Sequence, residues 1–135
     1  MYKFITRLPA WTFTVVIVAV ICYLTLVPRP LPDMDMPMFP GADKIVHGIM
    51  FGALAGAICL DMARKRGLQV LTVRLLLAAF VIASIAGGVI ELAQGAMAMG
   101  RGCDSWDFVA DAAGALLAVV VARPAIRVLL RNKPQ

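Results

Sequence analysis

Four long apolar runs joined by short hydrophilic links constrain this chain more than any single motif. They cover roughly residues 10–27, 43–61, 74–97 and 106–122 of 135, followed by a basic tail at 123–135. A bilayer core of about 30 Å takes about 20 apolar helical residues, so each run, with its polar ends counted, is long enough to be a transmembrane helix. With 61% hydrophobic residues, 16% charged residues and a mean hydropathy of +0.87, the chain is too apolar for a soluble domain. The expected architecture is an all-α membrane protein, a bundle of four transmembrane helices forming a single domain over 1–135. Any activity must then be built from helix ends and outer loops.

Charge divides across these runs. Lys3, Arg7, Arg64, Lys65, Arg66, Arg74, Arg123, Arg127, Arg131 and Lys133 fall with the N-terminus, the second link and the C-terminus, and only Arg29, Lys44 and Arg101 fall opposite. The acidic residues are distributed the other way. Asp33, Asp35, Asp43, Glu91, Asp104, Asp107 and Asp111 lie in or beside the first and third links, leaving Asp61 alone on the basic side. The positive-inside rule assigns the basic side, and with it both termini, to the cytoplasm. The net charge of +5 is therefore read as topology and attraction to anionic headgroups, not as a nucleic-acid surface.

The first run is longer than a usual secretory apolar region. Val27-Pro28-Arg29-Pro30 also offers no small-x-small cleavage site, so this helix is expected to be retained. Five prolines between 28 and 40 bar helix there, Asp43 suits either the N-cap or the first turn of the second helix, and Gly67 suits its C-terminal cap. Arg127 and Arg131 at i, i+4 make the tail either an interfacial amphipathic helix or a continuation of the fourth. Cys22, Cys59 and Cys103 match no disulfide framework and no zinc spacing.

Small residues recur every four positions: Gly48, Gly52 and Gly56 on the second helix, Ala79, Ala83 and Gly87 on the third, and Ala110, Gly114, Ala118 and Ala122 on the fourth. Such stripes let helix backbones approach closely in lipid and imply a tight bundle of these three helices. One more four-residue step from Gly87 reaches Glu91, with Gln94 on nearly the same face. Asp104, Asp107 and Asp111 share a face with Gly114, while Asp43, Lys44 and His47 open the second helix with Phe51 a turn below. Three helices thus carry Asp43, Lys44, His47, Glu91, Gln94, Arg101, Asp104, Asp107 and Asp111 to one outer level. Ionisable groups there cost about 2.5 to 3.5 kcal/mol each at the membrane centre and so face a partner or a wet site. Two readings stay open. Lys44 and Arg101 could simply neutralise carboxylates and pin helix ends, or the group could be a substrate-binding site with His47, Glu91 and Asp111 as catalytic candidates. One His with Asp and Glu could ligate a metal, but no compact motif such as His-x-x-x-His supports it, so neither metal nor other cofactor is assigned.

Asp43-Lys44-x-x-His47 with Phe51, then Glu91-x-x-Gln94, then Arg101-x-x-Asp104-x-x-Asp107-x-x-x-Asp111-x-x-Gly114 together resemble the VanZ-like family, over about residues 43–114. The family pattern commonly has Asn where Asp111 stands, and Gly102-Cys103 fills a position often polar. The family takes its name from an accessory protein of glycopeptide resistance that lowers susceptibility to teicoplanin. The resemblance implies a multi-pass protein of the bacterial cytoplasmic membrane, acting in the cell envelope. One reading is a factor that binds a membrane lipid, a lipid-linked precursor or a lipophilic antibiotic, with Lys44 and Arg101 holding phosphate or carboxylate groups. The others are an intramembrane acid/base enzyme acting on a lipid-linked substrate, and a structural or assembly subunit. Oligomeric state is not legible.

Overall fold

The computed structural model describes residues 7–27, 40–97 and 104–130, and within them the chain is all-helical. Helix α1 runs Thr12–Leu26, α2 Ala42–Arg66, α3 Val73–Met97 and α4 Ser105–Leu130, with a single 3₁₀ turn, Leu68–Val70, between α2 and α3. The sequence-predicted extended loop at 28–40, apart from Pro40, together with Arg101, Cys103 and the end of the tail, lies outside the described residues.

Three of the four helices, α2, α3 and α4, are long and apolar enough to cross a membrane. The first is shorter than its apolar run suggested. Its 15 residues rise about 22 Å, against a hydrocarbon core of about 30 Å. The reason lies at both ends: Trp11 takes a left-handed conformation at φ 65°, and Val27, just before Pro28, is extended. The other helices overrun their expected limits. Helix α2 continues past 61 to Arg66, where Gly67 at φ 84° turns the chain and its N–H bonds the Ala63 carbonyl at 2.7 Å. Arg64, Lys65 and Arg66 in that last turn complement the helix dipole.

Helix α4 also runs on, through Pro124 to Leu130 instead of stopping at 122, which settles the tail as a continuation of the fourth helix up to that residue. A proline inside a helix removes one hydrogen bond and normally kinks or breaks it. Here the buried series Ala115, Val119, Ala122 and Ile126 carries the packed face straight past Pro124 into the core, so tertiary contact outweighs the local cost.

Helix α2 is the centre of the bundle, with Phe51, Ala55 and Cys59 wholly buried, and its most extensive contact is with α4. Gly48, Gly52 and Gly114 make that contact possible. A Cβ on Gly52 would lie 3.0 Å from the Gly114 carbonyl oxygen, and one on Gly114 would overlap the Gly48 carbonyl. Backbone therefore meets backbone, the close approach that small residues permit in lipid. Gly56 takes no part, having nothing within 4 Å of its Cβ position. On α3 the expected stripe is buried as read, Ala79, Ala83, Gly87, Glu91 and Gln94 all facing inward. On α4 the deepest face is displaced by one residue, to Asp111, Ala115 and Val119, with Ala110, Gly114 and Ala118 half-buried beside the α2 crossing. Large apolar side chains such as Leu77, Ile85, Leu92, Leu117 and Val120 are exposed on the outside, as a lipid-facing surface requires.

Candidate functional site

The start of α2, the end of α3 and the start of α4 meet at one end of the bundle, and their polar residues form two tiers. The inner tier is His47, Glu91 and Asp111, all buried, one from each helix. His47 Nδ1 lies 3.0 Å from Asp111 Oδ1 and 3.5 Å from Glu91 Oε1. The His47 ring stacks on Phe51 one turn below, with centroids 6.4 Å apart, so apolar packing fixes its floor. Gly87 gives Asp111 its place, because a Cβ there would sit 2.6 Å from Asp111 Oδ2. Glu91 is held from the other side, its Oε2 accepting the Asp104 backbone N–H at 3.1 Å. Two buried carboxylate oxygens, Glu91 Oε1 and Asp111 Oδ2, have no hydrogen-bond partner among the described residues.

The outer tier is organised by Lys44. Its ammonium donates to Asp104 Oδ2 at 2.8 Å, Asp107 Oδ1 at 2.9 Å and Asp43 Oδ2 at 3.2 Å. Three donors are all an ammonium has. All three tie the start of α2 to the start of α4 or to its own neighbour, so a ligand phosphate or carboxylate would reach Lys44 only by replacing one of these carboxylates. Asp104 is also the cap of α4, its Oδ1 accepting the Trp106 N–H at 2.8 Å. Lys44, and then the Trp106 N–H, hold its carboxyl below the usual carboxylate range.

The structure thus brings together His47, Glu91 and Asp111, with Asp43, Lys44, Asp104 and Asp107 directly outside them. Gln94 is not part of this group. Its Nε2 donates to the Thr25 carbonyl at 3.1 Å, so the amide fastens α3 to the end of α1. Arg101 lies outside the described residues. Five carboxylates against one ammonium leave the described group strongly negative, which suits a cation or a proton-donating group better than an anion.

Two sets of side chains have the spacing of metal ligands: His47, Glu91 and Asp111, and Asp43, Asp104 and Asp107, each set offering atoms within 4.8 Å of one another. The Lys44 ammonium already bonds all three members of the second. The first was not visible as a sequence motif because its members come from three helices, and metal-site spacing is compact only when ligands share an element.

A second buried polar group lies at the opposite end and was missed in the sequence. Asp61 Oδ2 accepts both the backbone N–H and the hydroxyl of Thr14 at 2.8 Å, while Arg64 Nε donates to Asp61 Oδ1 at 2.7 Å. Arg64 also donates to the carbonyls of Leu8, at 2.9 Å, and Pro9, and its guanidinium lies 5.3 Å from the Phe13 ring centroid. The pair fastens the start of α1 to the end of α2. One signal was available: Asp61 is the lone acid in a basic region, three residues before an arginine.

No family model, curated protein or solved structure matches this chain.

Proposed function

We propose that this chain is a VanZ-like protein of the bacterial cytoplasmic membrane that binds a membrane-borne ligand at its His47–Glu91–Asp111 site. The ligand is a lipid, a lipid-linked cell-envelope precursor or a lipophilic glycopeptide antibiotic, and it is engaged at the outer face. All four helices cross the membrane in this reading, α1 with the help of its flanking residues, and both termini are cytoplasmic. The segregation of basic from acidic residues supports that orientation. The ordered motif from Asp43 to Gly114 supports the family.

One observation carries the binding reading. A polar group that served only to staple helices would satisfy its own atoms, as Asp61 and Arg64 do at the other end, whereas Glu91 Oε1 and Asp111 Oδ2 are buried without a hydrogen-bond partner among the described residues. Burying an unpaired carboxylate oxygen is costly unless something else fills the site. The exposed aliphatic face around the bundle gives a lipid chain a route along the helices to that site.

The 3.0 Å His47–Asp111 contact favours a second reading, an acid/base enzyme in which Asp111 orients the imidazole as proton acceptor toward a lipid-linked substrate. Mass spectrometry of the detergent-purified chain tests the binding reading. A co-purifying lipid-like species is expected with wild type and is expected to be lost from Glu91→Asp, which keeps the charge but withdraws the carboxylate by one methylene. Equal retention by both proteins would sink ligand binding at this site.

A further inference from the structure

The inner tier has one shortage that the hydrogen bonds among the described residues do not cure. His47 Nδ1 can carry a single proton, and the 3.0 Å contact directs it to Asp111 Oδ1. Among the described residues, Glu91 Oε1, 3.5 Å from the same nitrogen, is then left without a donor, and so is Asp111 Oδ2. Lys44 cannot serve them, since its three hydrogens go to the outer carboxylates. A cation with no preferred direction could satisfy the imidazole nitrogen and both carboxylates together.

We infer that His47 Nδ1, Glu91 and Asp111 form a divalent metal site that takes a first-row ion of the Zn²⁺ or Mn²⁺ type. Ligand atoms about 2.1 Å from a common ion, at angles of about 90° to 109°, lie about 3.0 to 3.4 Å from one another. The 3.0 Å from Nδ1 to Asp111 Oδ1 and the 3.5 Å from Nδ1 to Glu91 Oε1 lie at or close to that range, and no pair in the set exceeds 4.8 Å. Two buried oxygens lack partners among the described residues, so among these binding displaces no strong hydrogen bond except the shared His47 proton. One imidazole with two carboxylates selects against Ca²⁺ and Mg²⁺, which prefer all-oxygen shells. Three protein ligands leave a coordination position open to water or to an oxygen of a bound molecule.

Gly87 belongs to the same design, because any side chain there would drive into Asp111 Oδ2 and close the space the ion needs. The outer tier screens the site without competing for it, its carboxylates being neutralised in part by Lys44. The inference stands on these side chains alone and does not require the membrane-borne ligand proposed above. Metal content and lipid retention are read separately, so either can fail without the other.

The test uses the untagged full chain in detergent, stripped with a chelator and then equilibrated with Zn²⁺ or Mn²⁺. Elemental analysis after dialysis is expected to give about one ion per chain. Glu91→Gln and Asp111→Asn are expected to weaken binding roughly 100-fold or more, beyond the about 10- to 100-fold lost when only an outer-shell partner is removed. Asp43→Asn, in the outer tier, should leave the stoichiometry unchanged. Should the inner-tier variants fail to fold, Co²⁺ added to wild type reads the same site through its visible d–d absorption, which Zn²⁺ should abolish. Wild type binding less than about a tenth of an ion per chain, no Co²⁺ band, or Glu91→Gln and Asp111→Asn binding as wild type does would each overturn the inference, leaving His47 as an imidazolium staple.

Discussion

Gly114→Ala places one methyl group where the α2 and α4 backbones touch, and its cost can be reasoned from that contact. The new Cβ would overlap the carbonyl oxygen of Gly48, a backbone atom that has no rotamer through which to retreat. The helices must part by about an ångström or more to restore an ordinary contact, and a close-packed interior resists such shifts. Overpacking of this kind costs about 1 to 3 kcal/mol. A second loss follows, because His47 adjoins Gly48 and Asp111 lies one turn before Gly114. Parting the helices by about an ångström stretches their 3.0 Å contact past hydrogen-bonding range and leaves a buried polar group unsatisfied, at about 1 to 3 kcal/mol more. The expected destabilisation is about 2 to 6 kcal/mol. Gly56→Ala is the matched control: nothing lies within 4 Å of its Cβ position, and exchanging a helical glycine for alanine is worth up to about 1 kcal/mol in the stabilising direction. Thermal or denaturant unfolding in detergent should therefore separate two chemically identical substitutions in sign. A Gly114→Ala protein as stable as wild type, or a Gly56→Ala protein equally weakened, would refute the backbone-contact argument.

Three further outcomes are expected. Arg64→Ala should cost about 3 to 5 kcal/mol, because it leaves Asp61 charged and buried, and should speed proteolysis near Leu8 and Pro9, whose carbonyls Arg64 holds; unchanged protease resistance would count against the anchor. A cysteine at exposed Gln69 should resist an impermeant thiol reagent in intact cells and react after lysis, with wild type as the control for the native thiols, whereas labelling in intact cells would reverse the proposed orientation. Because Lys44 and the Trp106 N–H depress the folded Asp104 pKa, the stabilisation from this carboxylate is present above its unfolded pKa and lost as pH falls through the folded value; Lys44→Met should raise the Asp104 midpoint in carboxyl NMR, and an unmoved midpoint would remove Lys44 as the cause.

The sequence by itself determined the all-helical class of the protein and the inward direction of the polar residues on α3. Apolar runs of bilayer length leave a chain few options, because an unpaired backbone in lipid is costly and a helix satisfies its own. The four-residue step from Ala79 through Gly87 to Glu91 also turned the glutamate inward correctly, since along one helix the period fixes relative direction. Direction between helices is another matter. Small residues occur on two adjoining faces of α4, and only the crossing at Gly48, Gly52 and Gly114 decided that Asp111, Ala115 and Val119 face the interior. Partner choice was likewise tertiary. Gln94 has the right spacing to join Glu91, yet the Thr25 carbonyl at the end of α1 takes its amide. Lys44 looked available to a ligand until three carboxylates from two segments closed around it. The start of α1 and the reach of α4 followed the same rule: left-handed Trp11 delays the first, and packing carries the second past Pro124. Hydropathy and period report what one segment needs from its surroundings; which group supplies that need is set by distances between segments that may be dozens of residues apart, as the His47–Asp111 pair is.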